Sequence, residues 1–176
     1  ASSEEYVDLG AMIFDDEDEE KTTRFRVPAE APSGDEDADF AKMLDQFKEK
    51  VAENVDADDV TAHYDLGTAY KEMGLIDEAI AEFQAALRGR REHLATYEML
   101  GQCFLEQGKH EVAIRTLKKG LDAPHEIEDE LMGIYYYLGR AYEDLDDHDT
   151  AKEYYEKVFG LDINFQDVTE RLRALR

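Results

Sequence analysis

Phe40, Met43, Leu44, Phe47 and Val51 recur at i, i+3, i+4, i+7 and i+11, the spacing that gathers apolar side chains on one face of a helix. Asp39 stands before the series as an N-cap, and Lys48 and Lys50 fall in its second half, where positive charge complements the helix dipole. The pattern predicts a helix within residues 39–58, ending near Asn54 to Asp58. The last residues read the same way. Val168, Leu172 and Leu175 share one face, with Glu170, Arg171 and Arg173 outside, so a helix is expected over 165–176. No run approaches the ~18–20 consecutive apolar residues that a membrane-spanning helix requires, so membrane insertion is not expected.

Between these helices the pattern repeats. Tyr64-Asp65-Leu66-Gly67-Thr68-Ala69-Tyr70 aligns with Glu98-Met99-Leu100-Gly101-Gln102-Cys103-Phe104 and with Tyr136-Tyr137-Leu138-Gly139-Arg140-Ala141-Tyr142. Gly101 follows Gly67 by 34 residues and Gly139 follows Gly101 by 38, while Ala79, Ala113 and Ala151 each stand twelve residues after their glycine. Glycine inside a helix costs ~1 kcal/mol against alanine, so its recurrence implies a partner helix approaching too closely for a side chain. The three alanines are expected to supply the small surface opposite, and Tyr70, Phe104 and Tyr142 to fill the space between helix pairs. Gly74, Gly108 and the Asp146-Asp147-His148-Asp149 segment mark the turns. Four extra residues fall around 123–130, where they should lengthen a helix or loop without disturbing the stack.

These positions resemble the tetratricopeptide repeat family, a 34-residue helix-turn-helix with a Leu-Gly, aromatic, Ala, aromatic, Ala, Pro signature. The first repeat matches at Leu66, Gly67, Tyr70, Ala79, Phe83 and Ala86, and departs at His63, where a large aromatic is expected, and at Arg91, where proline is. The second matches at Tyr97, Leu100, Gly101, Phe104 and Ala113, with Leu117 and Gly120 as weaker substitutes. The third matches at Tyr135, Leu138, Gly139, Tyr142, Ala151 and Tyr155. The resemblance implies an all-α, right-handed superhelical α-solenoid of three repeats (60–93, 94–127 and 132–164), with a preceding helix and a C-terminal capping helix.

The resemblance also implies a concave groove lined by the first helix of each repeat. It places Thr61, Tyr64, Thr68 and Lys71 there from the first repeat, Ala95, Glu98, Gln102 and Leu105 from the second, and Gly133, Tyr136, Arg140 and Glu143 from the third. Met99 and Tyr137 are expected at its margin. Family members that bind chaperone C-termini use lysines, asparagines and an arginine as a carboxylate clamp, a set absent here: Tyr64, Thr68, Met99 and Tyr137 stand instead. Such a groove suits an extended or helical peptide with apolar anchors. The alternative, that its tyrosines pack between repeats, stays open at this stage.

Length and charge narrow the picture. The 176 residues fit one domain or a small repeat array. Forty-four acidic against 20 basic residues give a net charge of −24, the wrong sign for phosphate contacts to nucleic acid or for an anionic membrane surface. Residues 1–38 form an acidic arm with Asp15 to Glu20 unbroken and with Pro28 and Pro32 close behind, a composition expected to be disordered. Two islands interrupt it, the apolar Tyr6 to Phe14 and the alternating Arg24-Phe25-Arg26-Val27. Segment 6–14 is expected either to order on a partner or to occupy the chain's own groove, with 15–39 as tether. The acidic run offers a second route to a basic partner.

No chemistry stands out. His63, His93, His110, His125 and His148 lack metal-ligand spacing, and Asp144, Asp146 and His148 fail as a calcium loop because Asp149 and Tyr155 occupy the glycine and glutamate positions. Cys103, the single cysteine, sits mid-helix as a small hydrophobe, and no nucleophile or phosphate-loop motif exists. No cofactor and no catalysis are expected. One cysteine and the lack of a secretory pattern at the N-terminus suggest a cytoplasmic protein. The expected function is a scaffold or adaptor holding a peptide or helix of another protein. The alternative is an accessory or regulatory module of a larger polypeptide, from which a chain starting at Ala1 would have been cut.

Overall fold

A computed structural model of the chain describes residues 33–175. Contacts divide the chain after Glu53 into two units, each taken by itself.

The first unit contributes α1 (Glu36–Asn54). It begins three residues before the expected Asp39 cap, because Asp35 Oδ1 accepts the Ala38 N–H at 3.2 Å and Glu36, Asp37 and Asp39 all sit in the first turn, where carboxylates face the positive dipole end. Asp39 turns back instead to accept the Ser33 N–H at 2.8 Å. The helix stops at Asn54, at the near edge of the expected 54–58 window. The acids that follow, Asp56, Asp58 and Asp59, would oppose the negative end of the dipole.

The second unit holds seven α-helices: α2 (Val60–Glu72), α3 (Ile76–Gly89), α4 (Leu94–Glu106), α5 (His110–Leu121), α6 (Met132–Glu143), α7 (His148–Leu161) and α8 (Val168–Ala174). Every regular element among the described residues is helical. Helices pair as α2 with α3, α4 with α5 and α6 with α7, and the first helices of successive pairs, α2, α4 and α6, lie against one another. Asp59 caps α2 by accepting the Ala62 N–H at 3.0 Å, and Asp147 caps α7 by accepting that of Thr150 at 3.2 Å. The turns inside the pairs need left-handed backbone. Gly74 (φ 77°), Gly108 (φ 69°) and, in the third pair, Asp146 (φ 60°) supply it, aspartate being among the side chains that tolerate this region.

A Cβ built on Gly67 would lie 2.6 Å from the Phe83 ring, one on Gly101 would collide with Leu117, and one on Gly139 would lie 2.5 Å from the Tyr155 ring. The three repeats thus share one lock. The side chain in each notch comes four residues after Ala79, Ala113 and Ala151, which corrects the expectation that the alanines face the glycines. The alanines are fully buried, and a residue one helical turn further along reaches the glycine. Leu117 belongs to a cluster with Ile114, Ile134, Leu138 and Ala141 that joins α5 to α6. Tyr155 belongs to another with Leu131, Tyr135, Tyr136, Ala151, Val158 and Val168.

The extra residues between the second and third pairs form a loop and a 3-10 turn, Glu128–Leu131, which leads directly into α6. Leu131 is buried, and Glu128 accepts the Tyr135 hydroxyl at 2.5 Å. The final helix is shorter than expected. Phe165 stays in a turn, where its N–H reaches the Asp162 carbonyl at 3.3 Å, and Gln166 has φ 48°, so regular helix starts only at Val168.

Candidate binding groove

The expected groove positions fall on α2 and α4, of thirteen residues each, and on twelve-residue α6, first helices that contact one another in succession. On α2, Tyr64 is half-buried with its ring edge-on to His93, centroids 5.2 Å apart, and tilted over Phe83 at 5.8 Å. Burial raises its phenol pKa and the neighbouring Glu98 carboxylate raises it further. Thr68 spends its hydroxyl on the Tyr64 carbonyl at 3.0 Å. Lys71 bridges to Glu106 on α4 at 2.8 Å. Thr61 and Ala95 are exposed.

Glu98 occupies the middle of α4. Gln102 Nε2 donates to its Oε1 at 3.2 Å, and a Cβ on Gly133 of α6 would collide with its carboxylate, so the absent side chain at 133 is what lets the carboxylate lie against α6. Gly133 itself is buried. Burial pushes the Glu98 carboxyl above the usual range and only the Gln102 amide opposes that. No cation stands within ion-pair distance of it among the described residues. On its flank, Tyr137 of α6 is half-buried, its phenol pushed up to about 12 by burial and by Glu98. Met99 and Gln102 are half-buried too, while Leu105 leans on the α5–α6 cluster.

The third repeat divides its expected residues. Arg140 remains half-buried on α6, and its Nε has no hydrogen-bond partner among the described residues. Tyr136 is enclosed, and Glu143 is half-buried but fully engaged. Tyr136 is 4% exposed, its hydroxyl donates to Asp167 at 2.5 Å, and its ring meets Phe165 edge-on at 5.6 Å. Glu143 Oε2 accepts both the Tyr155 hydroxyl and Arg171 Nη1 at 2.6 Å, and Arg171 Nε also donates to Asp167 at 2.8 Å. The α8 end reaches both, Phe165 and Asp167 meeting Tyr136 and Arg171 pairing with Glu143. Sequence spacing put Arg171 on the outer face of α8 and missed its inward pairing.

A cleft of about 370 Å³ opens at the start of α4, lined by Arg90, Glu92, His93, Leu94, Ala95, Glu98, Pro124 and Glu130. Burial and the nearby Arg90 both lower the His93 pKa, and its Nδ1 is engaged with the Thr96 hydroxyl at 2.6 Å. Cys103 is fully buried with its thiol pushed up to about 11 by burial, an inert setting. No group of three metal-ligating side chains gathers among the described residues, and none of their helices is long and apolar enough to cross a membrane. Segment 6–14 lies outside the described residues.

The tetratricopeptide repeat profile matches residues 58–124 and again 133–163, together more than half of the chain. The chain belongs to the tetratricopeptide repeat family. The unmatched residues between the two stretches are those of the inserted loop and 3-10 turn. Among solved structures of this repeat family, the first repeat domain of Spaghetti (RPAP3), bound to the HSP90 peptide SRMEEVD, is similar at 21% identity over 69% of this chain and 93% of that one, with a TM-score of 0.62. MamA is similar at 22% identity over 79% and 78%, with a TM-score of 0.64. The second repeat domain of human RPAP3, in complex with the HSP70 peptide SGPTIEEVD, is similar at 16% identity over 64% and 91%, with a TM-score of 0.57. No curated protein sequence matches this tetratricopeptide repeat chain.

Glu98 gives the groove a stability signature. Its pKa is raised on folding, so the folded state holds this proton more tightly and its ionisation at higher pH costs stability. Glu98→Gln keeps the shape and removes that cost. Its melting temperature is expected to exceed that of the wild type at neutral pH, and the gap to close as pH falls toward the ordinary carboxyl range, ~4.3. Thermal melts at neutral and mildly acidic pH decide it; a variant less stable at neutral pH would show that the carboxylate is compensated.

Proposed function

We propose that this chain is a non-catalytic scaffold or adaptor of the cytoplasm whose α2–α4–α6 face holds a peptide or helical segment of a partner protein. The observation that carries the reading is a set of half-buried polar groups on three adjacent first helices: Tyr64, Tyr137, Arg140, whose Nε has no hydrogen-bond partner among the described residues, and Glu98, which lines an open cleft. Side chains used only for packing are enclosed, as Tyr136 is. Peptide-bound repeat domains among the similar structures support the same kind of role. Their peptides end in Glu-Glu-Val-Asp, and the buried carboxylate of Glu98 argues against an acidic terminus here.

Ala95→Trp would fill the cleft from an exposed position without touching the core. Affinity capture from lysate with the wild type and with this variant, followed by mass spectrometry, is expected to yield a protein held by the first and lost by the second. Identical retained sets would overturn the groove as the binding surface.

A further inference from the structure

The groove carries one carboxylate that its own fold leaves without a counter-charge. Lys71 is paired with Glu106, and Arg171 with Glu143 and Asp167. Among the described residues Glu98 is met only by the neutral amide of Gln102. A half-buried anion satisfied by one neutral donor is costly, since the low local dielectric strengthens a charge partner and penalises its absence. Nothing in the packing requires that anion. Gln102 could bond an amide equally well, and the glycine at 133 opens room for a planar group of either charge.

The surroundings fit a cation. The cleft beside Glu98 also presents Glu92 and Glu130 against a single guanidinium, Arg90, while burial and Arg90 both disfavour a charge on His93. An aromatic ring stands beside the cleft, since Tyr64 meets the lining residue His93 edge-on with centroids 5.2 Å apart, and a basic side chain gains from such a ring as well as from the charge. Leu94 and Pro124 supply apolar wall. Arg140 lies seven residues along α6 from Gly133, ~10 Å by helical rise, and makes no ion pair with Glu98 among the described residues. The net charge of −24 adds a field that draws basic segments in.

We infer, resting on the peptide-groove reading above, that Glu98 is the receptor for a lysine or arginine side chain, and that the partner segment is a basic peptide with apolar neighbours. The cation enters the cleft beside α4, pairs with the Glu98 carboxylate, and leaves its flanking residues on Leu94 and Pro124. The acids of the rim set the preference for basic sequence, and Glu98 sets the position.

Fluorescence anisotropy on the full chain tests this with three labelled twelve-residue peptides: one with arginines flanked by leucines, one with citrulline at each arginine, and one with glutamate there. The arginine peptide is expected to bind, more weakly as salt is added, with the citrulline peptide at least about tenfold weaker and the glutamate peptide silent. Glu98→Gln, which preserves the fold, should weaken the arginine peptide to the level of the citrulline one. If the arginine peptide binds the wild type and Glu98→Gln alike but is lost with Ala95→Trp, the groove reading stands and the role of Glu98 is overturned. Equal binding to all three proteins overturns both. Preference for the glutamate peptide, or no binding of the arginine peptide, overturns the basic-partner assignment.

Discussion

Gly101→Leu is expected to abolish the cooperative thermal unfolding of the repeat array. By helix propensity alone the change should help, since leucine is ~0.8 kcal/mol more favourable than glycine inside a helix. Packing reverses the sign. A Cβ at 101 would meet not only the flexible end of Leu117 but its Cγ, about 2.5 Å away, so rotating the leucine tip brings no relief. Leu117 is fully buried among Ile114, Ile134, Leu138 and Ala141, and α4 would have to leave α5 to admit four new carbons.

Ordinary overpacking costs ~1–3 kcal/mol, and an insertion with no room even for its first carbon exceeds that, against a total stability of ~5–15 kcal/mol. The damage spreads because the Leu117 cluster also holds α6, and each repeat is stable only against its neighbours. Circular dichroism melts should show a broad decline in place of one sigmoid; an unchanged melt would sink the lock. The milder pair Gly101→Ala and Leu117→Ala isolates the contact. Leu117→Ala alone should cost ~2–5 kcal/mol, and the double variant should be more stable than additivity predicts, because the new methyl enters the space that the leucine vacates.

The repeat was legible because its marks are local and physical. A helix-interior glycine signals a close approach wherever it recurs in register, and Gly67, Gly101 and Gly139 did so. What met each glycine was less legible, since periodicity assigns a face but not the height a side chain reaches along it. Phe83, Leu117 and Tyr155 therefore took the role expected of the alanines one turn earlier. The groove split for a similar reason. Spacing placed Tyr64, Glu98, Tyr136 and Glu143 on equivalent faces, but only the fold shows that Phe165, Asp167 and Arg171 close over the last two. Gly133 marks more than a lining position. A small residue beside a buried carboxylate marks the place where that carboxylate is accommodated.

Tyr155→Ala carries the second large effect, a loss of ~3–5 kcal/mol for deleting a buried aromatic side chain. The ring fills the notch at Gly139, is fully buried, and packs with Tyr136, Ala151, Val158 and Val168. Its hydroxyl also donates to Glu143 at 2.6 Å, on the oxygen that receives Arg171. Tyr155→Phe separates the two contributions. It keeps the ring and removes one bond to a charged acceptor, ~1.5–3 kcal/mol, while Arg171 still satisfies Glu143.

Chemical denaturation should therefore rank wild type above Tyr155→Phe above Tyr155→Ala. A phenylalanine variant as unstable as the alanine one would mean that the hydroxyl network, not the ring, holds the third repeat. Hydrogen exchange adds a local readout. Val168 packs in the cluster that the tyrosine ring completes, so α8 amides should exchange faster in Tyr155→Ala than in Tyr155→Phe. Because α8 and its preceding turn are what cover Tyr136 and Glu143, loosening it would lengthen the open face of α6, and the same contacts that stabilise the third repeat would set where the groove ends.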